Sequence, residues 1–161
     1  MAQDGPGAAE RLAAAGRAGY DANPRDCSHS IQVMLRAMGS PDEPYRTAND
    51  LMTHMQSRGS GWRKVALAEA GQLANAGKVV IGGLAVPGGH GHVVMVMPGP
   101  PRPSGGFRMN SGATLPSSGT FPASASGASS SWPGARSRGE KTVRDPWTAS
   151  DWGRVTFWTR D

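Results

Sequence analysis

The sequence predicts an α+β domain, and three observations lead there. Helical periodicity is concentrated in the first half, two short β-branched runs flank a Pro-Gly-Gly turn, and apolar residues return only near the end. At 161 residues the chain suits one domain, spanning 1–161 and large enough to bury a single core. Only 37% is hydrophobic, and there are 23 glycines and 13 prolines, so part of it is expected as loop.

Residues 10–18 are Ala-rich and suit a short N-terminal helix limited by Gly7 and Gly16. The Asn23-Pro24 pair then breaks the chain. Asp26 stands where an N-cap belongs, and Ile31, Met34, Leu35 and Met38 follow at helical spacing until Gly39-Ser40-Pro41. Thr47 and Asp50 form a capping-box pattern ahead of Leu51, Met52 and Met55, with Gly59 as the stop. Residues 65–76 read as a third helix. The runs 78–84 and 92–97, joined across Pro87-Gly88-Gly89, read as a β-hairpin. Between 99 and 140 the chain is dominated by Gly, Pro and Ser. This 99–140 stretch is expected to be a flexible insertion, and its low-complexity 117–131 portion cannot bury enough to order itself. Residues 107–110 could supply a third strand, and 154–158 a closing one. The tryptophans of the last segment are expected in the core.

The net charge of +5 is concentrated in residues 101–161, where eight Lys/Arg face four Asp/Glu. Such an excess suits an anionic partner. The arginines lie scattered in Ser/Gly/Pro sequence with no nucleic-acid-binding motif, so nucleic acid is not the expected partner. No run approaches the ~18 apolar residues of a membrane span, and the first residues lack a signal-peptide h-region. One cysteine can form neither an internal disulfide nor a multi-cysteine zinc site.

That cysteine, Cys27, falls in the first turn of the best helix. Unpaired N–H groups there stabilise an anion and are expected to lower a thiol pKa. The alternative is a buried structural cysteine. His92 opens the second hairpin strand, where its ring can reach a cleft, or it only starts a strand. Together they supply what acyl transfer needs: a sulfur nucleophile, and an imidazole that acts as base and then as acid. His29 would point away from Cys27, His54 belongs to a solvated helix face, and His90 in the hairpin turn is a candidate substrate contact. A metal site on His90 and His92 lacks nearby carboxylates, and no cofactor is expected.

Asp26-Cys27-Ser28 ahead of an amphipathic helix, followed by Gly91-His92-Val93-Val94-Met95-Val96, resembles the NlpC/P60-type cysteine peptidases of the papain-like superfamily. It resembles most closely the type VI secretion amidase effectors. Ala48-Asn49, Gly61-Trp62 with Lys64, Val80-Ile81 with Gly83-Leu84, and Pro98-Gly99-Pro100 extend the resemblance over residues 20–115. His29 stands where that family often has a small residue.

The resemblance implies a papain-like fold with helices packed on an antiparallel sheet, Cys27 as nucleophile and His92 as general base. It further implies hydrolysis of the peptidoglycan stem peptide between D-glutamate and meso-diaminopimelate. Such effectors are delivered without a signal peptide by the type VI machinery into the periplasm of a rival cell, and a cognate immunity protein protects the producer. The imidazole-orienting residue should lie on the strand after the histidine strand, where Asn110 is preferred and Ser111 aligns nearly as well. Ser28, His90 and Ser111 are the expected substrate contacts. The insertion is either a solvated excursion or a loop whose Arg102, Arg108, Arg136 or Arg138 meets substrate carboxylates. A phage-type lysin, another thiol acyl-transfer enzyme, and an inert cell-wall-binding module remain open beside the amidase.

Overall fold

The computed structural model describes residues 4–160. Four helices and an edge strand precede the hairpin: α1 (Asp4–Ala22), α2 (Cys27–Ala37), α3 (Ala48–Gln56), β1 (Trp62–Val65) and α4 (Leu67–Asn75). The hairpin is β2 (Val80–Leu84) and β3 (His92–Val96). It is followed by β4 (Arg102–Pro103), β5 (Thr120–Phe121), β6 (Ser124–Ala125), α5 (Ala149–Trp152) and β7 (Thr156–Arg160). The mixed α+β class is as expected.

Asp26 and Thr47 cap α2 and α3 as their positions require, accepting the amides of His29 and Asp50. The first helix runs on past Gly16 to Ala22, longer than its glycines suggested. Those glycines are contact points. A Cβ on Gly19 would lie 2.5 Å from both the Ser30 carbonyl oxygen and Met34 Cγ, so its absence lets α1 lie directly on α2. Residues 65–76 are not one helix: residues 62–65 form β1, and the helix begins at Leu67.

The main sheet is antiparallel, in the order β1-β7-β2-β3-β6. Its hairpin pairs Gly83 with Val93 and Leu84 with His92, which fixes His92 at the sheet rim. The closing strand β7 slots between β1 and β2, pairing Lys64 with Trp158 and Ile81 with the same Trp158. Ile31, Met34 and Leu35 of α2, Met52 and Met55 of α3, and Ile81, Val94 and Met95 of the hairpin share one buried cluster.

The strand beside β3 is β6, not residues 107–110, which form only a single bridge, Arg108 to Thr114. The insertion is also far more ordered than its composition implied. Ser124, Ser126 and Ser137 are fully buried, as are Ala125 and Ala128. Low apolar content does not prevent this, because the hydroxyls serve the backbone. Ser126 Oγ donates to the Val93 carbonyl at 2.7 Å, and Ser137 Oγ donates to the Ser124 carbonyl at 2.7 Å. The Asp145 carboxylate accepts the amides of Gly105 and Thr142 at 2.7 and 2.8 Å. The Ser126 and Ser137 hydroxyls and the Asp145 carboxylate thus have the partners that make their burial tolerable.

Candidate active site

The nucleophile candidate is held from both sides. On its own chain, the Asn23–Asp26 turn closes with the Asp26 amide on the Asn23 carbonyl (3.3 Å). The Asp26 carboxylate then accepts the His29 amide at 3.0 Å and meets His29 Nδ1 at 2.5 Å. From the insertion, Ala128 N–H donates to the Pro24 carbonyl at 3.1 Å, and Gly127 N–H donates to Ser30 Oγ at 3.0 Å. Ser30 Oγ in turn donates to the Cys27 carbonyl at 2.9 Å. His29 stacks on Tyr45, with ring centroids 4.2 Å apart.

Because β6 stops at Ala125, the Val93 edge of β3 is open. Ser126 takes the Val93 carbonyl, and the Val93 N–H faces the Cys27 sulfur. Cys27 therefore docks where the ladder ends, one residue from His92. The His92 ring meets the Ala135 carbonyl and packs edge-on against Trp147 with centroids 5.4 Å apart. Its Nε2 is sealed from solvent and has no hydrogen-bond partner, which leaves Nδ1 as the nitrogen facing Ala135.

Two cavities meet here, sharing Cys27, His90, Gly91 and Ser129. The first, about 530 Å³, is walled by His92, Leu84, Trp132 and Trp147. The second, about 460 Å³, is the more polar of the two, with Arg25, Ser28, Tyr45 and Asn49 among its lining. Asn49 shapes the rim between them: its side chain takes the Val86 and Gly89 carbonyls at 3.0 and 3.1 Å and accepts the Val86 amide at 2.9 Å. That clasp fixes the turn carrying His90.

The expected low thiol pKa is not what the site provides. Burial pushes the Cys27 thiol up. The Val93 N–H, the Ser28 hydroxyl (3.8 Å from Sγ) and the thiol's own amide pull it down, and the Asp26 carboxylate pushes it up again. A helix terminus contributes only about 0.3–1 kcal/mol, and burying an ionised thiolate costs more. Burial also pushes His92 down to about 4, against the smaller opposing effect of the Ala135 carbonyl. The two groups lining the first cavity are a neutral thiol and a neutral imidazole whose Nε2 has no hydrogen-bond partner. Such an imidazole can take the thiol proton as sulfur attacks.

Asn110 and Ser111 are not brought to His92. Both are exposed on the 107–114 excursion. Asn110 Nδ2 donates to the Ser131 carbonyl at 3.1 Å, Ser111 Oγ accepts the Ala113 amide at 3.4 Å, and neither lines a cavity. The reason is topological: β6 occupies the place beside β3, and the group that orients the ring is a backbone carbonyl. The insertion arginines are also elsewhere. Arg102 and Arg136 donate to the Gly139 and Ala128 carbonyls, Arg138 pairs with Asp21 at 2.8 Å, and Arg108 lies in the isolated bridge. Ser28 and His90 do reach the cleft.

Among the described residues no three His, Cys, Asp or Glu side chains gather as metal ligands, and no helix is long and apolar enough to cross a membrane. No family model matches the chain, and no curated protein matches it.

The His92 shift has a measurable consequence. The unfolded imidazole takes a proton near 6.5, and the folded one only near 4. Between those values the unfolded state binds more protons, so stability falls as pH drops through the window and levels below it. The loss attributable to His92 is about 3 kcal/mol. Urea midpoints from pH 7.5 to 4 should therefore fall more steeply for the wild type than for His92→Gln. Parallel curves would show that His92 is not the buried neutral base described.

Proposed function

We propose that this protein is a cysteine amidase that hydrolyses the peptidoglycan stem peptide at the D-glutamyl–meso-diaminopimelate bond, on a papain-like arrangement. The observation that carries the reading is the first cavity, whose wall includes both Cys27, at a helix start, and His92, whose Nε2 has no hydrogen-bond partner. The choice of substrate rests on the resemblance of the Cys27 and His92 segments to type VI secretion amidases. On that basis the working compartment is the periplasm of a target cell, reached through the secretion machinery, and the protein partner is a cognate immunity protein.

The chemistry follows from the neutral pair. His92 Nε2 accepts the thiol proton as Sγ bonds to the amide carbon. The oxyanion forms beside the Cys27 amide at the helix start. Collapse breaks the C–N bond, and the departing amine takes the proton from Nε2. A water then gives a proton to Nε2 as its oxygen attacks the thioester. The S–C bond breaks, and Sγ recovers the proton. The Ala135 carbonyl, facing Nδ1–H, leaves Nε2 as the acceptor in the resting imidazole and stabilises the imidazolium once Nε2 is protonated.

Digestion of purified muropeptides with mass-spectrometric readout tests this. The expected products are a peptide ending in D-glutamate and one beginning with diaminopimelate. Intact stem peptides after incubation with folded protein would rule the reading out.

A further inference from the structure

The two cavities divide at Cys27, and only the first is lined by His92. On the hydrolase reading, this division gives the substrate a direction. The departing amine must be protonated by His92, so it lies in the first cavity, between His92 and the tryptophans. The acyl portion, bonded to Sγ in the intermediate, must then extend into the second.

That second cavity contains the one Lys or Arg side chain among the described residues lining either space, Arg25. It is exposed and makes no hydrogen bond or ion pair with the described residues. Its neighbour Asp26 does not neutralise it, because that carboxylate is committed to the ring and amide of His29. The backbone that carries Arg25 is fixed by the turn bond between Asn23 and Asp26 and by Ala128 on Pro24. A fixed turn and an unpaired guanidinium in the more polar of the two cavities, next to Cys27, suit a carboxylate ligand.

We propose that Arg25 binds the carboxylate adjacent to the scissile amide on the acyl side. This rests on the amidase reading, under which that group is the free α-carboxylate of the D-glutamyl residue attacked at its γ-carbonyl. Arg25 then decides between stem peptides whose D-glutamyl α-carboxylate is free and those in which it is a carboxamide. It binds substrate without taking part in proton transfer.

The test uses the full chain and two synthetic stem peptides that differ only at this group, acid or carboxamide. The wild type is expected to favour the acid by about tenfold in kcat/KM, through KM, as suits a charge-assisted contact near the surface. Arg25→Gln should lose that preference by weakening the acid peptide alone, and Arg25→Lys should retain part of it. Equal wild-type rates on both peptides, or an Arg25→Gln variant that slows both by one factor, would overturn the assignment and leave the amidase reading standing. Cleavage of neither peptide by folded wild type would remove both.

Discussion

Replacing Cys27 by alanine is expected to abolish amide cleavage and leave the fold in place. The chain has no other thiol, and an enzyme that loses its covalent nucleophile keeps only what binding and oxyanion contacts supply. The loss in kcat should therefore be at least about 10⁴-fold. Folding should tolerate the change, because α2 is capped by Asp26 and pinned by Ser30, neither of which uses the sulfur. Removing one buried sulfur atom costs on the order of 1 kcal/mol. Rates on muropeptides and a thermal melt of the same preparation settle the matter together. Activity within tenfold of the wild type, in a variant with an unchanged melt, would show that Cys27 is a packing residue.

The parts of this site that could be read from sequence are those in which residue type determines position. An aspartate at an N-cap, apolar residues at helical spacing and a β-branched run after a Pro-Gly-Gly turn each leave a local trace, so Cys27 and His92 were placed correctly on α2 and β3. What was illegible has no residue-type signature. The group facing His92 Nδ1 is the Ala135 carbonyl, and any residue can supply a carbonyl. The side-chain candidates Asn110 and Ser111 are instead spent on the Ser131 carbonyl and on a local turn at Ala113. Strand β6 is two small residues in a Ser/Ala run, below any periodicity test, yet it decides which segment lies beside the histidine.

The state of the thiol shows the same division between local and tertiary causes. A helix start beside Cys27 is visible in sequence and favours the thiolate. The burial that opposes it comes from packing against β3, and it wins. On the proposed amidase reading, activation of Cys27 would use His92 Nε2 as a base rather than a standing ion pair. The acid limb of kcat/KM is then expected to follow that nitrogen.

Gly127→Ala is expected to cost about 3 kcal/mol or more and to reduce turnover of the molecules that still fold. A Cβ at this position would overlap the Asn23 carbonyl oxygen and lie 2.9 Å from Pro24 C and 3.0 Å from Asp26 N. All three are backbone atoms of the turn that presents Cys27, so no flexible side chain can yield. Relief must come from moving either the turn or the insertion. Moving the turn strains the Asp26–Asn23 bond and shifts the α2 cap. Moving the insertion breaks Gly127 N–H from Ser30 Oγ and Ala128 N–H from the Pro24 carbonyl. Either route displaces Cys27 relative to His92, and on the proposed amidase reading small displacements there are costly to turnover. Gly153→Ala is the control: it sits in right-handed helical conformation, and a Cβ there meets nothing within 4 Å. It should leave stability unchanged or raise it slightly. Urea midpoints and muropeptide rates for the two variants should separate widely. Equal midpoints would mean that the insertion does not clamp the nucleophile turn.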